Sequence, residues 1–181
     1  MAITLISTVT VGAGGAASID FTSIPGTYTD LMIALSARNA SVGATDVYAQ
    51  FNGVTTSTYS MRRLYGEGSG SGISDAVSTP SATGFRIGRS VSSGATASTF
   101  SNCLIYLPNY AGSTAKSGSS DQVDETNATV ATQLITACLW SGTSAITQVT
   151  LKQLDGNNFA QYSSASLYGI QKGSSGGVTV A

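Results

Sequence analysis

Histidine is absent from the 181-residue chain, which also holds a single tryptophan, three prolines and two cysteines. Without an imidazole there is no base for a Ser-His-Asp or Cys-His nucleophile, so that route to covalent catalysis is excluded. Two cysteines with no histidine cannot close the usual four-ligand shell of a zinc site. Charge is scarce as well. Charged side chains make up 9% of the residues, against about 25% in an average soluble protein. The net charge is −1, and Arg62-Arg63 is the one adjacent basic pair. Five arginines and three lysines so scattered form no stripe that could follow a phosphate backbone or an anionic membrane. No apolar run approaches the ~20 residues that span a bilayer. Residues 1–11 alternate apolar with polar rather than joining a basic segment to an apolar one, as a signal peptide does. The expectation is a protein made in a cytoplasm that binds neither nucleic acid nor membrane.

What is abundant is small and polar. Glycine, serine and threonine together supply 72 of the 181 residues, yet hydrophobic residues still reach 41%. That is enough for a core, and a chain of this length buries roughly 70% of its unfolded surface without help from disulfides or metals. Apolar residues recur with period two, and no long stretch has helical periodicity. Strands are predicted at 3–11 (Ile3, Leu5, Val9, Val11), 17–22 (Ile19, Phe21), 29–37 (Leu31, Ile33, Leu35) and 45–51 (Val47, Ala49, Phe51). Others follow at 59–65, 84–88, 100–107 (Phe100, Leu104, Tyr106), 129–140, 145–154 (Val149, Leu151) and 159–170. Turn residues punctuate them: Gly12 to Gly15, Pro25-Gly26, Asn52-Gly53 and Asp155 to Asn158. The fold class expected is all-β, an antiparallel β-sandwich of jelly-roll type with about ten strands and few or no helices. Residues 66–83 and 109–128 read as long loops. Residues 1–172 read as one jelly-roll domain and 173–181 as a flexible Gly/Ser-rich arm. Cys103 and Cys138 fall inside strand-like runs and read as buried free thiols.

Candidate chemistry is thin. Ser113-Thr114-Ala115-Lys116 has the spacing of a serine–lysine pair but sits in a polar segment, where a solvated lysine is expected. Glycoside hydrolysis needs two carboxylates at a fixed separation; a pair such as Asp20 and Asp46 is open to it, but nothing marks the pair. Asp121-Gln122-Val123-Asp124-Glu125 is the densest acidic run, without the Asp/Asn-Gly spacing of a calcium loop. Gly66 to Gly72 lacks the strand, helix and lysine of a phosphate cradle. Eight tyrosines stand beside Ser, Gly and Asn, the residue mix of recognition surfaces. Several fall on alternating strand positions, where packing is the expected role. No cofactor, metal or catalytic residue is expected.

One set of segments resembles a known group. Ser7 to Pro25 (STVTVGAGGAASIDFTSIP), Thr27 to Leu31, Ser36 to Asn39, Phe51-Asn52-Gly53 and Tyr59-Ser60 are similar to virion proteins of marine and cyanobacterial tailed phages. The likeness returns at Leu139 to Ile146, Asn158-Phe159 and Leu167 to Ile170. It lapses at Ala111 to Gly118, where an aromatic, basic segment is the pattern. The resemblance implies a jelly-roll virion protein without catalytic activity, located on the virion and assembled in the host cytoplasm.

Fibre adhesins usually carry an attachment region, often with coiled-coil heptads. This chain opens in its first strand, which favours a capsid decoration, or cement, protein bound to the major capsid protein as a homotrimer. The alternative is a tail fibre or tail-tip protein recognising host polysaccharide. Val178, Thr179 and Val180 are the candidate intersubunit arm, carried by the Gly/Ser linker to the sheet edge of a neighbour.

Overall fold

The computed structural model describes residues 2–68, 75–124, 126 and 127, and 131–172. Val178, Thr179 and Val180 lie outside them. The described residues form twelve strands and no helix. They are β1 (Ala2–Thr10), β2 (Ile19–Phe21), β3 (Asp30–Ala37), β4 (Thr45–Phe51), β5 (Tyr59–Glu67) and β6 (Asp75–Ala82). After these come β7 (Phe85–Ser90), β8 (Ser101–Pro108), β9 (Lys116–Asp124), β10 (Thr132–Trp140), β11 (Val149–Gln153) and β12 (Ser164–Gln171). Eight of them pair as a strip folded back on itself: β1 with β12, β2 with β11, β3 with β8 and β4 with β7. Two more antiparallel pairings, β12 with β3 and β11 with β4, divide the strip into two facing sheets. That nesting is the jelly roll. The other four strands extend one sheet, giving β1-β12-β3-β8-β9-β10-β5-β6 opposite β2-β11-β4-β7. The expected all-β sandwich is what the chain forms.

The core is built by the period-two faces. Leu31, Ile33 and Leu35 of β3, with Ile105 and Leu107 of β8, meet Ile19 and Phe21 of β2, Val149 and Leu151 of β11, and Val47 and Phe51 of β4. Toward β10 the filling becomes aromatic. Phe51 lies at the centre, its ring 4.9 Å from Phe85 and 5.6 Å from Trp140, with Tyr59 stacked on Trp140. The Tyr59 hydroxyl is satisfied by accepting the Phe51 N–H and donating to the Val54 carbonyl. Both cysteines are buried free thiols, as expected. Burial pushes both thiols up, Cys138 to about 12.

Four expectations are corrected. The two segments read as loops each contain a strand, β6 within 66–83 and β9 within 109–128. β9 is hidden because its polarity is inverted: Lys116, Ser120 and Gln122 are buried while Val123 faces solvent. In β8 the alternating residues Leu104 and Tyr106 stand on the outer face, Leu104 49% exposed, while Cys103, Ile105 and Leu107 turn inward. In β1 a bulge at Ile6 changes the phase. Ile3 and Leu5 therefore face solvent, while Val9 and Val11 reach the core.

The turn Asn52-Gly53 has positive φ at both residues, 51° and 69°, the conformation Asn and Gly tolerate best. It joins strands of different sheets and so forms a corner rather than a hairpin. The Asn52 side chain fixes that corner by accepting the N–H groups of Thr147 and Gln148 and donating to the Ala145 carbonyl. Opposite, Arg38 organises the connection from β7 to β8, its guanidinium donating to the carbonyls of Ser93, Ala95, Thr96 and Thr99 at 2.8–3.0 Å.

Phe51 is fully buried against three aromatic rings. Phe51→Ala is expected to cost about 3–5 kcal/mol of stability, read as a shift of the urea midpoint at unchanged slope.

Candidate functional site

In a chain with five arginines, their positions are informative. Arg38 is consumed by loop carbonyls and Arg62 points out from the large sheet. The other three converge. The extended sheet curls round β7, the edge strand of the small sheet, so that β7 touches β8, β9, β10 and β5. Beyond that edge, Arg63 and Tyr65 of β5 reach the face of β4 that points away from the core. There the Arg63 guanidinium meets Asp46 Oδ2 at 2.9 Å, and Gln50 donates to the Thr83 carbonyl at 2.9 Å. On β7 the register shifts between Val47 and Tyr48 of its partner, leaving Ile87 as an extra residue. Arg86 and Arg89, three apart, would point to opposite faces of a regular strand; the bulge re-aims both toward the cluster. Arg86 reaches the same Asp46 oxygen at 3.2 Å, and Arg89 donates to the Tyr65 hydroxyl at 3.2 Å with its guanidinium 5.8 Å from that ring's centre. Thr45, Asp46, Arg63, Tyr65, Arg89 and Leu154 line a cleft of about 390 Å³.

The wall behind the cleft explains why β9 is polar. An edge strand leaves backbone groups without a partner strand, and these must still be satisfied. Gln122 of β9 accepts the Arg89 backbone N–H at 3.2 Å, and the Cys103 thiol of β8 donates to the Ile87 carbonyl at 3.0 Å. Gly88 permits this approach, because a Cβ there would lie 2.8 Å from Gln122 Cγ. The Gln122 amide donates onward to Asp124. Burial raises the Asp124 carboxyl to about 6, although Arg89 and the Gln122 amide act in the other direction.

The arrangement is suited to binding. Asp46 Oδ2 is clamped between two guanidiniums. Arg63 and Arg86 share a single oxygen of Asp46 and Arg89 donates to the Tyr65 hydroxyl, so the three guanidiniums keep N–H donors beyond these contacts. Arg63 Nε is buried and has no partner among the described residues.

The other sequence candidates disperse. Asp20 on β2 is held by Thr150 and Ser18 and lies in register with Gln50, four residues along β4 from Asp46. That is roughly 13 Å of strand, too far for a carboxylate pair acting on one bond. Asp121 faces solvent and Asp124 the interior, so these two do not converge on a cation, and Glu125 lies outside the described residues. Among the described residues no group of three His, Cys, Asp or Glu could hold a metal ion.

Lys116 is not solvated but 1% exposed, and its ammonium donates to the carbonyls of Gly112, Thr114 and Thr143. Burial lowers its pKa, but all three donors are engaged, so it offers no base to Ser113. Asp155 to Asn157 form a side-chain-capped turn, with Asp155 accepting the Asn157 N–H at 3.0 Å. Gly66 and Glu67 belong to β5, while residues 69–74 lie outside the described ones. Among the described residues no helix is long and apolar enough to cross a membrane. Comparison with family models, curated proteins and solved structures finds no match to this chain.

The arginine cleft escaped sequence reading, since Arg63, Arg86 and Arg89 share no spacing. The faint signal was three of five arginines between residues 63 and 89 of a charge-poor chain.

Two buried carboxyls give opposite pH signatures. Asp30, 2% exposed, would be raised by burial alone. The Tyr106 hydroxyl, the Lys172 ammonium and the Asn109 N–H outweigh that and hold it below 3.8. Its stabilisation is present above the unfolded value and is lost as pH falls through the lower folded one. For Asp124, folded near 6 against an ordinary 3.8, stability is greatest below the unfolded value and declines as pH rises through 6. Asp124→Asn is therefore expected to stabilise the protein at pH 8 by about 1–2 kcal/mol, allowing for partial solvent contact. The gain should vanish near pH 4, and Asp30→Asn should destabilise at pH 8; denaturant melts across pH 4–8 read both.

Proposed function

We propose that this protein is a non-enzymatic structural protein of a tailed-phage virion, a decoration protein that binds the assembled head as a homotrimer and stabilises it. The observation that carries this reading is the uncovered outer face of the eight-stranded sheet. Leu104, Asp121, Ile135 and Leu64 lie in one register row across four strands of that face. The three apolar members are 49%, 47% and 58% exposed, with Val123 two residues from Asp121 along β9 at 40% and Leu139 four residues from Ile135 along β10 at 44%. Strand β1 forms one edge of the same sheet, has no charged residue and exposes Ile3 and Leu5 at 55% each. Solitary proteins usually blunt such edges with charge or proline and avoid such faces. A protein that spends its working life seated on the major capsid protein has no need to.

The mechanism is linkage. Whatever binds only the assembled shell shifts the equilibrium toward it, by an amount set by free concentration over Kd. Copy number follows from this role. Mass spectrometry of purified particles should find this chain at a level comparable to the major capsid protein, and a few copies per particle would overturn the reading. The double substitution Leu104→Lys, Ile135→Lys changes surface positions, where stability effects are usually within about 0.5 kcal/mol, and sets both new charges opposite Asp121. It is expected to weaken attachment to heads at least ~10-fold, measured by co-sedimentation.

A second reading, a tail protein that recognises host surface polysaccharide, is favoured by one observation, the open cleft of arginines beside Tyr65.

A further inference from the structure

We propose that the cleft between β5, β7 and the start of β4 binds the carboxylate of an acidic sugar, a uronic acid unit of a polysaccharide. This rests on the second reading above and narrows it from glycans in general to acidic ones.

The first argument is charge. The chain has eight cationic side chains, and two of them, Arg63 and Arg89, line the cleft, with Arg86 joined to it through Asp46. One carboxylate, Asp46, answers Arg63 and Arg86 through a single oxygen. The third, Arg89, donates to a neutral phenol, and Asp124, which it faces, is raised to about 6 by burial. A planar guanidinium with free N–H groups is the side chain best matched to a carboxylate, since two parallel hydrogen bonds form at once.

The second argument is construction. Two of the guanidiniums are fixed before any ligand arrives: Arg63 by Asp46, and Arg89 by the Tyr65 hydroxyl and ring. Arg89 is also anchored through its backbone to Gln122. Groups held in this way lose little freedom on binding.

The third argument is shape and lining. A volume of about 390 Å³ lies at the small end of ligand sites, which run roughly 300–1,000 Å³. Tyr65 offers an amphipathic ring, Thr45 a hydroxyl and Leu154, 44% exposed, an apolar rim. A sugar ring presents hydroxyls and C–H faces to such a wall, whereas a bare inorganic anion would use the guanidiniums alone.

The test is titration of the full chain, followed by calorimetry and by chemical-shift changes, with glucuronate and galacturonate. Glucose and galactose serve as neutral counterparts, and acetate and sulfate as anions without a sugar ring. The proposal expects saturable binding of at least one uronate, at least ~10-fold tighter than its neutral sugar and than either simple anion. Arg89→Gln should weaken it ~10-fold or more, and Arg89→Lys, which keeps the charge but not the fork, should weaken it less. Neither variant removes the Asp46 pairs, and an unchanged melting temperature verifies the fold. Neutral sugars binding as well as uronates would overturn the acid specificity and leave a glycan-binding protein. Acetate or sulfate matching the uronates would overturn sugar recognition in the cleft. Uronate binding unaffected by Arg89→Gln would overturn the site. Should no sugar bind here, a glycan array showing saturable binding of another glycan would overturn this proposal alone, and an empty array would remove the second reading with it.

Discussion

An eight-stranded sheet set against a four-stranded one leaves the shorter sheet with a raw edge inside the molecule, and the strand on that edge is β7. Its outward backbone groups have no partner strand, and leaving them dry would cost more than most side-chain contacts return. The chain answers with side chains from the opposite sheet: Gln122 accepts the Arg89 N–H, and Cys103 donates to the Ile87 carbonyl. From this one constraint follow the polarity of β9, the glycine at position 88 and the curling of β10 and β5 round the edge. The same curl carries Arg63 and Tyr65 past the core and over the back of β4. The cleft is a by-product of closing an edge.

The cations divide by how they are satisfied. Arg38 and Lys116 are buried at 9% and 1% exposure and are surrounded by backbone carbonyls. Carbonyl dipoles replace the lost hydration without a counter-ion, and every lysine donor is used, so these two are fasteners for the loops they grip. Arg63, Arg86 and Arg89 are held by one carboxylate oxygen and one phenol, which leaves donors over. A buried cation with no free donor holds a structure together; a half-buried one with free donors is available to a ligand.

All ten strands expected from alternation exist, and in β3 and β4 the signal is a core-facing triplet, Leu31, Ile33 and Leu35 or Val47, Ala49 and Phe51. The jelly-roll order was legible only through strand count and turns, since pairings such as β1 with β12 join residues too far apart in sequence for any local pattern. Where the reading failed, a physical cause stands behind each case. β9 buries a lysine and a glutamine and exposes a valine, so a rule that sends apolar residues inward finds nothing there. β8 carries apolar residues on both faces, and alternation alone does not tell which of them turns inward. β1 changes phase at Ile6, which alternation without a structure cannot register. The cleft depends on a bulge in β7 and on the curl of a sheet, both decided by packing between distant segments. Single residues therefore gave no warning of it.

Position along β5 relates the two proposed surfaces. Leu64 belongs to the outer row with Ile135 and Leu104, while its neighbours Arg63 and Tyr65 turn the other way into the cleft. Successive residues of a strand point to opposite faces, so a partner seated on the outer face of the large sheet leaves the cleft open on the far side. Attachment to a particle and recognition of a small acidic ligand thus make no competing demand on this fold. A head-mounted copy would present its arginines away from the shell. Near the apolar row the proposed docking face carries Arg62 and Asp121. The arginine fork is built where solvent and solutes still have access.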